Sequence, residues 1–339
     1  MNYNRLEKLQ SRRIDMEITN AKQINEIYRR ISQSDSVKYV LGAMQPIDPE
    51  YTKATYAEGD RVWNQLDKNL MIYCKLRYQG SVTNDTHIKA KSDIDLLTVI
   101  NKFVTLERPQ EPSAPYQGNP SQDLYDLRKE EIDILTRAFP EAKVDSSGKK
   151  AISLEGGSLR RKIDVVPCNW FNTNKYAETD NEVYRAVQIL DAETGERIKN
   201  TPFLHNALID HKDKAVGGGL RKAARLMKSL KYDTESIDLS SYDIVAIAYN
   251  IEQELLNLPE GMELTLLQSC CDYCERLLQN NYLRDQIYVP DGHRKVFESG
   301  HATRQGLEQL TRELVSLRND VLNENSRSFN KLAEARVVF

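Results

Sequence analysis

Apolar residues recur every three to four positions in several long stretches of the chain, which is the spacing of amphipathic helices. In the N-terminal part these stretches are 4–33, 51–77 and 124–139. One stripe of the second stretch is formed by Val62, Leu66, Leu70 and Cys74. We therefore expect long N-terminal helices, the second of which leads the chain to a turn at Gln79-Gly80.

Shorter apolar runs between turn-forming residues predict β-strands. They lie at 93–104, 143–148, 150–154, 161–167 and 184–190. The segment 107–122 is rich in proline and contains Gly118, so it predicts a loop or a flexible insertion. Up to about residue 204 the pattern is therefore typical of an α/β lobe.

Helical spacing dominates the rest of the chain. It covers 205–232, on either side of three consecutive glycines, and then 242–256, 263–281 and 302–322. The tail after Asn323 is polar and is predicted to be mobile. The chain thus divides into residues 1–204, an α/β lobe with N-terminal scaffold helices, and residues 205–339, a helical lobe.

Two carboxylates stand two positions apart in the first predicted strand, at Asp93 and Asp95. Side chains alternate between the faces of a strand, so both should lie on one face and Ile94 on the other. Paired carboxylates repel each other and lose hydration when they are partly buried. A divalent cation offsets both costs, and Mg²⁺ typically takes one or two carboxylates besides water and phosphate oxygens. The alternative is an exposed edge strand with two solvated acids.

A third carboxylate, Asp164, stands in the middle of the apolar strand at 161–167. If this strand pairs beside the first, three acids line one patch and can hold two Mg²⁺ ions, the arrangement that serves nucleotidyl transfer. The alternative is an ion pair between Asp164 and either Arg161 or Lys162.

A Gly-Ser turn, Gly80-Ser81, precedes the acid pair. Glycine lets the backbone approach a phosphate closely, and the serine hydroxyl and free N–H groups can bind triphosphate oxygens. Thr86 can add another hydroxyl. The turn, the acid pair and the third acid together indicate a site for a nucleoside triphosphate and its metal ions.

Composition and charge exclude several classes of function. Of 339 residues, 29% are charged, and the formal net charge of −3 gives no basic excess for binding a long duplex DNA. No apolar run approaches the roughly 18 to 20 residues of a membrane helix, and residues 1–20 lack the apolar core of a signal peptide. We expect a cytoplasmic protein without membrane contact; its oligomeric state stays open.

The chain has five cysteines, which we expect to be reduced. Three of them cluster at Cys270, Cys271 and Cys274, but no histidine lies at a zinc-ligand spacing from them. Leucines at helical spacing around the cluster favour small core residues of a helix. A metal or redox role is the alternative.

The turn and the three acids resemble the pattern of the polymerase-β-type nucleotidyltransferase superfamily. Within it, the sequence resembles the CD-NTases, bacterial relatives of cyclic GMP–AMP synthase and oligoadenylate synthase. Gly80-Ser81 with Thr86 and Ile88 is similar to the extended first motif of that family, and residues 163–167 are similar to its third-acid strand. The resemblance covers residues 56–322. It implies a bilobal α/β (α+β) fold: a polymerase-β-like core with a mixed sheet, and a C-terminal helical lobe that closes the nucleotide cleft.

The resemblance also implies roles for residues of the helical lobe. Lys228 takes the position of a lysine that holds the donor triphosphate. Ser241 takes that of a serine that touches the triphosphate, and Tyr242 that of a tyrosine that stacks on a base. The alternatives are a solvated helix face for Lys228, an ordinary N-cap for Ser241 and a core aromatic for Tyr242. The zinc ribbon of the animal DNA sensor has no counterpart in this sequence, which argues against direct activation by duplex DNA.

We therefore expect an enzyme that makes a cyclic di- or trinucleotide second messenger from ribonucleoside triphosphates, without a template and with release of pyrophosphate. Asp93 and Asp95 would bind two Mg²⁺ ions, for which Mn²⁺ can substitute, and Asp164 would bind the catalytic one. The resemblance implies antiphage (CBASS) signalling, in which a separate effector protein binds the product.

Two alternatives stay open. One is a linear oligonucleotide synthase, or a transferase that adds nucleotides to RNA, a protein or a small molecule. The other is a catalytically dead binding or scaffold protein that keeps the fold. Base choice, linkage and ring size are not encoded in any pattern that the sequence alone displays.

Overall fold

The structure is a computed structural model that describes residues 4–15, 34–259 and 261–337. Its residues form two compact units. The sheet unit contains Asp48–Asp85 and Lys91–Leu208. The described residues of the helical unit fall within Met1–Ile47, Thr86–Ala90 and Ile209–Phe339. The helices before residue 47 thus group with the C-terminal helices, whereas the helix at 49–69 belongs to the sheet unit. The units are therefore not two continuous ranges that meet near residue 204.

The sheet unit is built on a mixed seven-stranded sheet, which confirms the predicted fold class. Its strands are β1 (Cys74–Gln79), β2 (Ile94–Leu106), β3 (Lys143–Asp145), β4 (Ile152–Glu155), β5 (Ile163–Asn172), β6 (Ala186–Leu190) and β7 (Arg197–Asn200). The order is β1-β2-β5-β4-β3, with β6 paired to both β5 and β7. Strands β2 and β5 run parallel, whereas the other pairs are antiparallel. These two central strands read as near-continuous apolar runs because both of their faces are covered.

The helices are α1 (Asn4–Arg13), α2 (Asp35–Met44), α3 (Pro49–Asn69), α4 (Pro120–Ala138), α5 (Asn174–Thr179), α6 (Pro202–Ala215), α7 (Gly219–Asp233), α8 (Ser241–Tyr249), α9 (Gln253–Leu256), α10 (Glu263–Gln279), α11 (Asn281–Arg284) and α12 (Arg304–Val337). A short 3₁₀ turn lies at Glu182–Tyr184. Side chains fix the starts of the two long helices of the sheet unit. Asp48 accepts a bond from the Glu50 N–H, and Asn119 caps α4, each just ahead of a proline in the first helical turn.

The sheet unit buries apolar side chains on both faces of the sheet, and α4 covers one of them. Its buried face consists of Leu124, Leu127, Glu131, Ile134 and Leu135, spaced by three and four residues. The apolar members of this row join β2 and its neighbours in two core clusters. The helix predicted at 124–139 is therefore confirmed, although it begins at Pro120.

The helical unit has a single large core cluster, to which α1, α2, α7, α8, α10 and α12 all contribute. Cys270, Cys271 and Cys274 lie on α10 inside this cluster, fully buried and unbridged. The core role predicted for the cysteine cluster is confirmed.

Helical spacing misplaces the ends of two helices. The helix expected at 51–77 ends at Asn69, and Cys74 begins β1 instead of completing the stripe. Leu70 and Cys74 pack in one cluster, so apolar spacing continues although the helix has ended. Helix α12 continues to Val337, so the chain after Asn323, where the sequence predicts no element, is helical up to that residue.

The helix expected at 4–33 is found as α1 as far as Arg13, and residues 16–33 lie outside the described residues. Helix α2 follows where the sequence predicts no element. The proline-rich segment is a loop from Glu107 to Asn119, as predicted. It is anchored by Gln110, whose amide donates to Asn172 O and Asn174 Oδ1 at 3.2 and 2.9 Å. In the part of the chain that the structure describes, no helix combines the length and apolarity that spanning a membrane would require.

Candidate active site

Asp95 and Asp164 lie side by side where the parallel strands β2 and β5 begin. They are direct partners in the strand register, between the pairs Ile94–Ile163 and Leu96–Val165. Residues that pair directly in a sheet project from the same face. The two acid-bearing strands are therefore neighbours, as the sequence predicts, and two of the three carboxylates share one patch.

Asp93 lies directly before β2 rather than within it, and it is exposed. Burial, followed by the charges of Asp164 and Asp93, raises the pKa of the Asp95 carboxyl group to about 7, although the charge of Lys162 lowers it. The effect of Asp93 on this pKa means that the two carboxylates are close. All three acids therefore act on one another electrostatically.

Both carboxylate oxygens of Asp164 have partners. The Lys162 ammonium nitrogen lies 2.9 Å from Oδ2, and the Ser153 hydroxyl donates to Oδ1. Ser153 stands opposite Asp164 in the pairing of β4 with β5. The ion pair considered as an alternative thus exists with Lys162, next to the Asp95–Asp164 pair. Arg161 lies elsewhere and donates to Thr55 Oγ1 at 3.2 Å.

The Gly80-Ser81 turn lies against Asp95. Its preceding residue, Gln79, is the register partner of Asp95 in β1. Gly80 has a φ of +89°, and a Cβ atom at this position would lie 2.7 Å from Asp95 Oδ2. The Gly80 carbonyl accepts from the Thr83 N–H and hydroxyl, at 3.2 and 2.7 Å, which closes the turn. Only glycine therefore fits between the backbone and this carboxylate.

The donor set fits a hard divalent cation, since Asp95 and Asp164 share a patch, Asp93 is close to Asp95, and Gly80 leaves space beside the Asp95 carboxylate. Within residues 4–15, 34–259 and 261–337, no group of three His, Cys, Asp or Glu side chains is already converged as a metal site. Asp164 is held by Lys162 and Ser153 instead. The chemistry of the site therefore suits Mg²⁺, whereas its present side-chain arrangement is that of an ion-paired acid cluster.

Thr86 and Lys228 meet in the helical unit. Thr86 is buried, and its carbonyl oxygen accepts from the Lys228 ammonium at 2.7 Å. Burial, followed by the positive charges of Arg225 and Lys89, lowers the pKa of Lys228 to about 7. Lys228 is 6% exposed, so a solvated helix face is the wrong description of it.

Helix α8 begins at Ser241, and its N-cap is Ser240. The Ser240 hydroxyl accepts from the Asp243 N–H at 3.0 Å and donates to Asp243 Oδ2 at 2.6 Å. Ser241 is exposed, and its hydroxyl has no hydrogen-bond partner among the described residues. The N-cap alternative therefore applies to Ser240 and is wrong for Ser241.

Tyr242 is half-buried and packs against the core of the helical unit. The Arg294 guanidinium carbon lies 5.2 Å from its ring centroid, and the His293 ring lies 6.5 Å away. Burial raises the pKa of the Tyr242 phenol. One side of Tyr242 thus packs on the core, as the alternative of a core aromatic requires, and its ring also lies near the polar side chains of Arg294 and His293.

Ser153 is a site neighbour that the sequence motifs miss. It alternates with the buried residues Ile152 and Leu154, so the strand pattern alone places it on the face opposite to theirs. Which strand β4 pairs with is not evident from that pattern. The contact between Ser153 and Asp164 therefore requires the register of the sheet.

Comparison with known proteins finds relatives over most of the chain, although no protein-family model matches. A cyclic dinucleotide synthase CdnE from Yersinia aleksiciae is 37% identical over 307 residues, which is 89% of this chain and 81% of that protein. A c-di-GMP synthase from a Lachnospiraceae bacterium is 30% identical over 64% of this chain and 70% of that protein.

Among solved structures, the STING-associated CdnE c-di-GMP synthase from Capnocytophaga granulosa matches with a TM-score of 0.79 and 27% identity. The match covers 95% of this chain and 99% of that one. Similarity of this extent, together with the acid pair and the glycine turn, confirms the predicted family: the chain belongs to the CD-NTases and is a nucleotidyltransferase.

Proposed function

We propose that the protein joins two ribonucleoside triphosphates into a cyclic dinucleotide. In each step a ribose hydroxyl oxygen forms a bond to an α-phosphorus, and the bond from that phosphorus to pyrophosphate breaks. The observation that carries the proposal is the register pair Asp95–Asp164, with Gly80 against the Asp95 carboxylate. Acids and a glycine turn in this arrangement suit nucleotidyl transfer.

The family implies dependence on a divalent metal ion in general. We propose two Mg²⁺ ions, with Mn²⁺ as a possible substitute, held by Asp93, Asp95 and Asp164. When bound, the ions neutralise phosphate charge and lower the pKa of the attacking hydroxyl. The backbone of Gly80 and the hydroxyl of Ser81 are proposed to hold triphosphate oxygens, in a turn that the Thr83 bonds keep closed.

Two sets of residues in the helical unit are proposed to bind nucleotide. Lys228, Arg225 and Lys89 bring three positive charges together, and an anion would relieve their mutual repulsion. We propose that Lys228 binds phosphate, with Thr86 fixed beside it. Ser241 offers an exposed hydroxyl in the first turn of a helix, and Tyr242 offers a ring.

The product proposed for this chain is a cyclic dinucleotide second messenger of antiphage (CBASS) signalling, bound by a separate effector protein. The support is that the relatives of this chain include c-di-GMP synthases, and that the similar solved structure from Capnocytophaga granulosa is STING-associated. GTP is therefore the first substrate to test, followed by mixtures of the four ribonucleotides.

The test uses the purified full-length protein with Mg²⁺ and labelled nucleotides, and measures pyrophosphate release and phosphatase-resistant products by chromatography and mass spectrometry. A cyclic dinucleotide that disappears in the Asp93→Ala/Asp95→Ala double variant supports the proposal. A linear product, or a product that forms only with an added RNA, protein or small-molecule acceptor, favours a different transferase. Product that survives in the double variant would contradict the assignment of the acids.

The adjacent serines of α8 allow a matched test of nucleotide binding. We expect Ser241→Ala to raise the KM for nucleoside triphosphate about three- to tenfold while the free energy of unfolding stays the same, because its hydroxyl has no hydrogen-bond partner among the residues that the structure describes. Ser240→Ala should instead lower the free energy of unfolding by about 1 kcal/mol through loss of the cap. Equal KM values in the two variants would contradict the role of Ser241.

A further inference from the structure

Lys162 stands directly before β5, two positions ahead of Asp164, so that their side chains project from the same side of the chain. Its ammonium nitrogen is 2.9 Å from Asp164 Oδ2. Its backbone carbonyl accepts from the Ile94 N–H at 3.2 Å, which holds the backbone of Lys162 beside the start of β2. Lys162 is therefore attached at its base and at its tip to the two strands that carry the acids.

The charge of Lys162 acts on all three acids. Burial lowers the pKa of its ammonium, but the bond to Asp164 and the charges of Asp164, Asp93 and Asp95 outweigh this effect and raise the pKa. The same positive charge lowers the pKa of Asp95. In the protein without metal, Lys162 is thus a cation that compensates part of the charge of the acid cluster.

Both carboxylate oxygens of Asp164 already have a partner in this arrangement. Oδ2 is bound to Lys162, and Oδ1 accepts from the Ser153 hydroxyl. A metal ion bound to Oδ2 would lie beside the Lys162 ammonium, and the two positive charges would repel each other. Lys162 is the partner that repels the ion, and its side chain is 34% exposed, which leaves it room to move toward solvent.

We propose that Lys162 is a positioning residue that competes with the metal ion for Asp164. Its ammonium keeps the acid cluster paired while no metal is bound, and it leaves Asp164 when the ion binds. This competition weakens the binding of free metal to the protein, so that the metal enters together with the negatively charged nucleotide. The joint entry of metal and nucleotide rests on the proposed function. The competition between Lys162 and the metal ion for Asp164 does not, because it takes place in the protein without nucleotide.

The test measures the binding of Mn²⁺ to the full-length protein without nucleotide, by the electron paramagnetic resonance signal of the free ion. In Lys162→Met, which removes the charge and keeps the length, we expect Mn²⁺ to bind about tenfold more tightly. The metal-free variant should also melt at a lower temperature than the wild type, and Mn²⁺ should raise its melting temperature by a larger amount. Lys162→Gln should behave in the same way, and it replaces the methionine variant if that one does not fold.

Lys175→Met is the matched control, since it removes the same charge from an exposed pair with Glu178 on α5. We expect its Mn²⁺ affinity to stay within about twofold of the wild type. Unchanged or weaker Mn²⁺ binding in both Lys162 variants would overturn the proposed competition, even if the enzyme makes a cyclic product. Tighter binding in a protein that makes no product would leave the competition intact and contradict the proposed function alone.

Discussion

A carboxyl group lies at each face of strand β2, and the two groups differ in their surroundings. Asp95 projects beside Asp164 from one face, partly exposed. Glu131 reaches the other face from α4 and is fully buried near Thr98. The pKa of Asp95 is raised to about 7 and that of Glu131 to about 8.

The causes of the two pKa shifts differ. Burial is the largest cause of both rises in pKa. At Asp95 two further acids add to the rise in pKa and Lys162 opposes it. At Glu131 the neighbouring Glu130 adds to the rise in pKa, and Thr98 and Arg128 oppose it. Arg128 does not form an ion pair with Glu131, because its guanidinium donates to the carbonyls of Ser146 and Gly148 instead, at 2.9 and 2.7 Å. Neither oxygen of Glu131 forms a well-aligned hydrogen bond in the described part of the chain.

A raised pKa alone therefore does not identify a catalytic acid. Asp95 has acidic neighbours, a glycine turn and access to solvent, which together suit a cation and a nucleotide. Glu131 is fully buried in the apolar row of α4, where a neutral carboxylic acid is the stable form. Three substitutions test this contrast.

The largest effect is expected on activity. Asp95→Asn should lower kcat about 10³-fold or more, because the amide cannot replace a carboxylate as a metal ligand. Glu131→Gln, the same change on the opposite face, should leave kcat within about twofold. Initial rates of pyrophosphate release measure both. Comparable losses of kcat in the two variants would contradict the distinction between a catalytic carboxylate on one face of β2 and a structural one on the other.

A smaller loss is expected when the space beside Asp95 is filled. Gly80→Ala should lower kcat about 10²-fold, because its Cβ displaces the Asp95 carboxylate. Gly156→Ala is the control: its φ is +81°, close to the +89° of Gly80, and no heavy atom lies within 4 Å of its Cβ position. Both variants should lose about 1–2 kcal/mol of stability through backbone strain. A normal rate for Gly80→Ala would show that the close approach is unimportant.

The smallest effect is expected on stability. The folded-state pKa of Glu131 is raised above the ordinary value of 4.5, so its contribution to stability is present below pH 4.5 and is lost as the pH rises through about 8. Glu131→Gln cannot ionise. Relative to the wild type, its free energy of unfolding should therefore rise by on the order of 2 kcal/mol between pH 5 and pH 8.5. Urea unfolding at both pH values measures this, and parallel pH profiles would contradict a buried neutral acid.

Local pattern was sufficient to predict the elements that carry the acids. Two apolar strands with acids at fixed positions, and a Gly-Ser turn ahead of them, are features of consecutive residues, and the structure pairs those strands. The N-cap at α8 was missed by one residue, because both Ser240 and Ser241 have the side chain that caps a helix. Only the backbone conformation decides between them.

Non-local contacts account for what the sequence could not predict. The bond of Ser153 to Asp164 depends on the register of β4 with β5, and the burial of Lys228 depends on where residues 86–90 lie. The apolar spacing that ends in Cys74 continues from a helix into a strand, since one core receives side chains from both. Periodicity identifies which residues are buried, but not where one element ends.

The segment Thr86–Ala90 belongs to the helical unit although it lies in the chain between the Gly-Ser turn and the acid pair. Its members are bound there: the Ala90 N–H donates to Arg12 O at 2.8 Å, and the Lys89 ammonium lies 4.6 Å from the Tyr232 ring centroid. A chimaera that exchanges residues 205–339 between relatives would therefore leave the recipient's own segment 86–90 and N-terminal helices in contact with a foreign core. We therefore expect functional recombinants only when the N-terminal helices, residues 86–90 and residues 205–339 all come from one parent. The helical unit is thus exchangeable only as three separate stretches of sequence.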